Sequence, residues 1–350
     1  MLNDIYSNAE PNKRALFKEV FGNLSAGIVE GYGKNFPNIK YNTADFKMLT
    51  ELNYNAGVFA VFKNHAQIKE TVKLLKNEDG SLRSKKDFIS EAQKLSDKYN
   101  KTYLATEYDQ AVGSARMAKK WQDIERTKHL YPNIRYVAVI DDRTRQLHKQ
   151  WHNIILPIEH PFWDTHYPPN DWGCRCMVQR TDKDIQDNGV DVNTIPALPK
   201  QFNMNVGKTG KVFNYDHPYF NTTNFSEVAE LAKTALLRYQ TTEIYATLKN
   251  TFKLPVSSQL GKVGINNKAI KEALNKPHKN GYFKNNLLYD LKAVLIDAFY
   301  IGSSEPFKEV GHWKTYHYLR VKDFEDMIVI IREDFKGQFF FYSITDKVKL

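Results

Sequence analysis

The residues best equipped for chemistry crowd into one stretch. Residues 136–180 read YVAVIDDRTRQLHKQWHNIILPIEHPFWDTHYPPNDWGCRCMVQR and hold His148, His152, His160 and His166 together with both cysteines, Cys174 and Cys176. In an extended segment alternate side chains share a face, so Cys174 and Cys176 would project together and Arg175 away from them. Two thiolates on one face, joined by imidazole from His148, His152 or His166, form the donor set of a tetrahedral zinc site, so a structural zinc is a candidate here. The spacing is Cys-x-Cys, shorter than the Cys-x2–4-Cys of common zinc modules, and a second reading stays open. In that reading the segment is a latch: Asp141 or Asp142 accepts from Arg143 or Arg175, and the cysteines pack as small hydrophobes. A zinc hydrolase is disfavoured, because nothing like His-Glu-x2-His accompanies them.

The elements that must position this stretch follow from periodicity. The run Tyr136-Val137-Ala138-Val139-Ile140 has the length and β-branched content of a buried strand, stopping at Asp141-Asp142. Before it, apolar residues recur at helical spacing over 13–22, 45–76, 84–99 and 101–128, whereas 23–42 is rich in Gly, Asn and Pro and is expected to be a loop. A mainly helical first domain, 1–182, is therefore predicted, with a small β-containing motif region. Little periodicity marks 183–211, which reads as a linker. The second domain, 212–350, has helical patterns over 226–249, 267–274 and 287–298 and then switches to period two. Strands are predicted over 316–321, 327–333 and 338–345, the last two joined by a Lys336-Gly337 turn, so the class is α+β with an antiparallel sheet.

The motif region resembles a known family. Asp142-Arg143-Thr144 with His148, then HPFWDTHYPPNDW and the closing CRC, are similar to the signature of phage Mu F-like minor head, or head morphogenesis, proteins. YLATEYDQAVGSARMAKKWQDIE over 103–125 is similar to that family's lead-in, and the likeness covers about 50–182. It implies a virion or procapsid component, produced in the host cytoplasm, that works with portal and head proteins in particle assembly or DNA delivery. It implies no established chemistry.

Composition sets wider bounds. With 350 residues and 42% hydrophobic content the chain can build two or three cores. Lys plus Arg exceed Asp plus Glu by ten, a balance that suits a nucleic-acid partner or simply a solvated surface. Two cysteines two residues apart make no disulfide framework and point to an intracellular setting. No apolar run suggests a signal peptide or a membrane partner.

Residues 205–350 hold 21 Lys/Arg against 15 Asp/Glu, a net of +6 that concentrates the excess in the second half. This half resembles the phage-associated nuclease domains of the barnase, EndoU, colicin and RelE-like superfamily, through INNKAIKEALNKPHKN, HWKTYHYLRV, MIVIIREDF and FFFYSITD. The resemblance implies a ribonuclease that needs no metal cofactor and has RNA as substrate, with an immunity protein as a candidate partner that the sequence itself does not show. Attack by a ribose 2′-hydroxyl needs a general base, a general acid and cationic donors around the phosphorane. His317 is the leading acid/base candidate, with His312 and His278 next. Arg332 could hold phosphate bidentately, Ser343 and Thr345 could bond a phosphate oxygen from one strand face, and Lys271 with Lys268 could line the rim. Each has a plainer reading as an ordinary strand or surface residue, and only convergence on one cleft makes them a site. The alternative is a structural head protein whose second domain binds nucleic acid or a capsid partner without catalysis.

Overall fold

The structure, a computed structural model, describes residues 1–9, 11–189, 195–306 and 312–348. The chain forms two compact units, residues 1–34 with 51–235 and residues 35–50 with 236–350. The class is α+β: the first unit is mainly helical, and the second carries a largely antiparallel sheet.

The first unit is built on helices α1 (Lys13–Tyr32), α2 (Ala44–Lys73, from Glu51 onward), α3 (Lys85–Asp97) and α4 (Leu104–Thr127). Asn12 caps α1 by accepting from the Ala15 amide, and Gly33 ends it at φ +73°. The expected loop from residue 23 is thus helix as far as Tyr32. Its glycines serve packing: a Cβ at Gly31 would lie 2.1 Å from the Val112 carbonyl oxygen, and one at Gly27 3.1 Å from that of Tyr108. The backbone of α4 occupies the space that side chains would need. Between α2 and α4 the ammonium of Lys63 donates to the Glu107 carboxylate and, at 2.8 Å, to the Tyr99 carbonyl, with both charged residues buried. Burial raises the Glu107 carboxyl to about 7 against the pull of Lys63.

Three antiparallel strands follow, β1 (Asn133–Val137), β2 (Ile155–Pro157) and β3 (Met177–Thr181), in the order β2-β1-β3. The first strand starts and ends three residues earlier than the apolar run predicts. Val139 and Ile140 are 38% and 59% exposed, because the chain leaves the sheet at Ala138 to form the motif loop. The linker expected over 183–211 also differs from the structure. Asn205 donates to the Trp163 carbonyl at 2.9 Å, Gly207 lies against the Trp121 ring, and just past the expected linker Phe213 stacks on Phe59 at 3.6 Å, so the segment over 205–213 is packed into the first unit. Its lack of periodicity reflects packing through single anchors rather than through a regular face. The division between units falls at residues 235/236, inside helix α6 (Phe225–Leu248; α5 is the short Gln146–Gln150).

In the second unit helices α7 (Asn267–Asn275), α8 (Gly281–Asn286) and α9 (Leu291–Asp297) accompany a six-stranded sheet. Its strands are β4 (Val256–Ser258), β5 (Gly261–Gly264), β6 (Phe299–Ser304), β7 (Trp313–Arg320), β8 (Ile328–Asp334) and β9 (Phe339–Thr345), in the order β4-β5-β9-β8-β7-β6. The β7-β8-β9 meander is antiparallel as predicted, with Gly337 at φ +74° in its last turn; β5 joins β9 in parallel. Residues 35–50 complete this unit: Phe36 stacks on Tyr289 at 5.6 Å, and the Tyr41 amide donates to Asp290 at 3.1 Å.

Candidate functional site

The motif loop sits where β1 ends and β3 begins. Asp141 receives a bidentate fork from Arg175, at 2.7 and 2.6 Å, and also accepts from the Thr144 hydroxyl and the Arg143 amide. The Arg175 guanidinium holds the Asp141 carboxyl well below its ordinary value. Thr144 donates to the Val139 carbonyl, which closes the turn. A second pair, Arg145 to Asp171 at 2.7 Å, ties the start of α5 to the segment before Cys174, and Arg145 also donates to the Trp172 carbonyl. Of the pairings that the sequence left open, the latch is Asp141 with Arg175.

These two clasps bring α5 against the cysteines. His148, 3% exposed, has its Nδ1 3.8 Å from Cys174 Sγ and 3.7 Å from Cys176 Sγ, and the ligand atoms of the three residues all lie within 4.8 Å of one another. Neither cysteine lies in a strand; both sit in the segment that leads directly into β3. The buried Tyr136 hydroxyl receives the Asn170 side-chain amide at 3.0 Å. The Cys174 thiol is lowered, chiefly by the hydrogen bond from Cys176, and Cys176 is correspondingly raised. His152 is not in this group, since its Nδ1 accepts from the Ala138 amide at 3.2 Å. His166 is buried nearby, its Nδ1 2.7 Å from the Thr165 hydroxyl, and burial lowers its imidazole. Tyr136 and Asn170 are the contributors that sequence reasoning missed; each looks like an ordinary strand or turn residue until the loop folds.

With this geometry in place, likeness to known proteins becomes specific. Residues 67–179 match the family described as phage Mu protein F like protein. This region is Mu F-like. It contains the latch, the His148 helix and both cysteines. Over 76 residues, 22% of the chain, the sequence is 45% identical to the provisionally named capsid assembly protein F of Escherichia phage Mu. Over 128 residues, 36% of the chain, it is 34% identical to the Mu-like prophage FluMu F protein of Haemophilus influenzae. The matched stretches span 17% and 30% of those relatives' own lengths. Outside the Mu F-like region, residues 236–342 match large polyvalent protein-associated domain 3. No solved structure matches the chain.

In that second region the residues singled out for ribonuclease chemistry do not meet. His317 Nε2 lies 3.1 Å from Glu333 Oε2, and Lys314 Nζ lies 3.4 Å from the other carboxylate oxygen. The His317 bond holds the Glu333 carboxyl below its usual range. Arg332 leaves from the opposite face, since Tyr316 pairs with Arg332 while His317 pairs with Ile331. Its guanidinium lies 3.3 Å from the Tyr342 ring centroid, 5.0 Å from that of Tyr316 and 5.4 Å from that of Trp313. Ser343 and Thr345 are buried opposite Ile330 and Ile328. His278 is held by the Asp326 carbonyl and the Asn280 amide. Lys271 lies over the Tyr245 ring at 4.8 Å, whereas Lys268 and His312 are exposed. Glu333 is the partner that the sequence did not reveal.

Proposed function

We propose that the chain takes part in phage head assembly, associating through its Mu F-like region with the portal and head proteins of a virion or procapsid. The observation that carries this reading is the match over 67–179, within which the signature residues build one interlocked loop instead of scattering. One relative that shares the region is named for capsid assembly and another for a Mu-like prophage. Co-sedimentation of the chain with procapsids tests it.

The finer reading makes the second unit a metal-independent ribonuclease. Its support is the His317–Glu333 pair with Lys314 alongside, a base, an acid and a cation at one end of β7 and β8. The position of Arg332, on the other face among three aromatic rings, favours the alternative of a module that binds nucleic acid or a capsid partner without cleavage. RNA incubated with the full chain, without added divalent cations, separates the two. A ribonuclease yields fragments ending in a 2′,3′-cyclic phosphate, and His317→Gln or Glu333→Gln slows cleavage about 10²- to 10⁴-fold. Intact RNA, with the chain shown folded by circular dichroism, leaves the binding reading.

A further inference from the structure

The Cys174, Cys176 and His148 cluster is absorbed by neither role, and its geometry carries a conclusion of its own. We propose that these three side chains bind one zinc ion, which locks the end of β1, helix α5 and the entry to β3 into a single unit. Zinc–sulfur bonds of about 2.3 Å and zinc–nitrogen bonds of about 2.0–2.1 Å in a tetrahedron place sulfur and nitrogen roughly 3.6 Å apart, and the two sulfurs roughly 3.8 Å apart. The observed sulfur–nitrogen separations are 3.8 and 3.7 Å, with every ligand pair inside 4.8 Å. The donor triangle thus has metal-site dimensions with only small adjustments needed.

The loop around the triad is held by side chains: the Asn170 amide donates to the buried Tyr136 hydroxyl at 3.0 Å and to the His166 carbonyl at 3.0 Å. His148 is fixed by stacking on Trp151 at 5.4 Å, and α5 is pinned by the Arg145–Asp171 pair. Three protein ligands leave the fourth position of the tetrahedron to a water. Cys and His donors select zinc over magnesium or calcium, which take oxygen. The latch and the metal are complementary: Asp141–Arg175 closes the loop on its exposed side, and zinc closes it inside.

The test uses the full chain, purified without chelator, with zinc measured by elemental mass spectrometry and released zinc by a chromogenic chelator. Stoichiometric zinc is expected, lost in the Cys174→Ser/Cys176→Ser variant and retained in His152→Gln. Because the double-serine variant could fail to fold, the native chain is also stripped and reloaded with cobalt(II), whose thiolate charge-transfer bands and tetrahedral ligand-field bands would report two cysteines on one ion. A folded chain with no zinc, no cobalt spectrum and two freely titratable thiols overturns the proposal, as does a Cys174–Cys176 disulfide.

Discussion

His217 shows how one buried side chain ties stability to pH. It is 7% exposed, its Nδ1 accepts from the Tyr219 amide, and the rings of Phe59, Phe213 and Trp172 surround it. Burial, with a smaller push from the Lys63 charge, lowers its imidazole from 6.5 to about 4. The unfolded chain therefore takes up this proton at higher pH than the folded one. Stability contributed by the group is complete above pH 6.5 and is lost as pH falls toward 4, at about 1.4 kcal/mol per pH unit. Urea midpoints measured between about pH 7 and pH 5 should fall more steeply for the native chain than for His217→Asn, which keeps an acceptor for the Tyr219 amide. Parallel slopes would count against this assignment. Single residues were the least legible scale of the sequence. Four histidines crowd the motif, and choosing His148 over His152 required the turn at 138–145, which no periodicity encodes. Glu333 follows Arg332 directly in the sequence, yet the register places it opposite Thr315, on the face of His317.

At the scale of elements, composition misled where glycine stood for a loop. Gly27 and Gly31, in the stretch expected to be a loop, lie inside α1 and mark a close approach to α4. Gly31→Ala drives a methyl group to 2.1 Å from the Val112 carbonyl oxygen and should cost about 1–3 kcal/mol as the helices part. Gly22→Ala meets nothing within 4 Å and should stabilise the helix by about 0.5–1 kcal/mol. Thermal denaturation of the two variants checks both signs, and a Gly31→Ala melting temperature at or above the native one would refute the close packing. Elsewhere amphipathic spacing was a sound guide. The helices near 45–76, 84–99 and 101–128 appear within a few residues of their predicted bounds, as do the three strands of the β7-β8-β9 meander. Strand β1 was displaced because its apolar run continues into a loop held by side chains rather than by sheet pairing.

At the scale of the whole molecule, the α+β class was legible from the order of periodicities, and the Mu F-like signature from its odd composition. The extent of the units was not. Residues 35–50 belong with 236–350, and 195–235 belong with the first unit. Contacts remote in sequence, such as Tyr41 to Asp290 and Phe213 to Asn55, leave no local pattern. The two family matches, 67–179 and 236–342, fall in different units. Among the described residues no helix is long and apolar enough to cross a membrane. The measurement that bears most directly on the proposed head-assembly role is sedimentation of procapsids from cells that produce a Mu-like phage together with this chain, with the chain followed by immunoblot. The expected result is full-length chain in the procapsid fraction, with less of it when Arg175→Ala opens the latch. Procapsids that sediment without the chain, while it stays at the top of the gradient, would contradict the account.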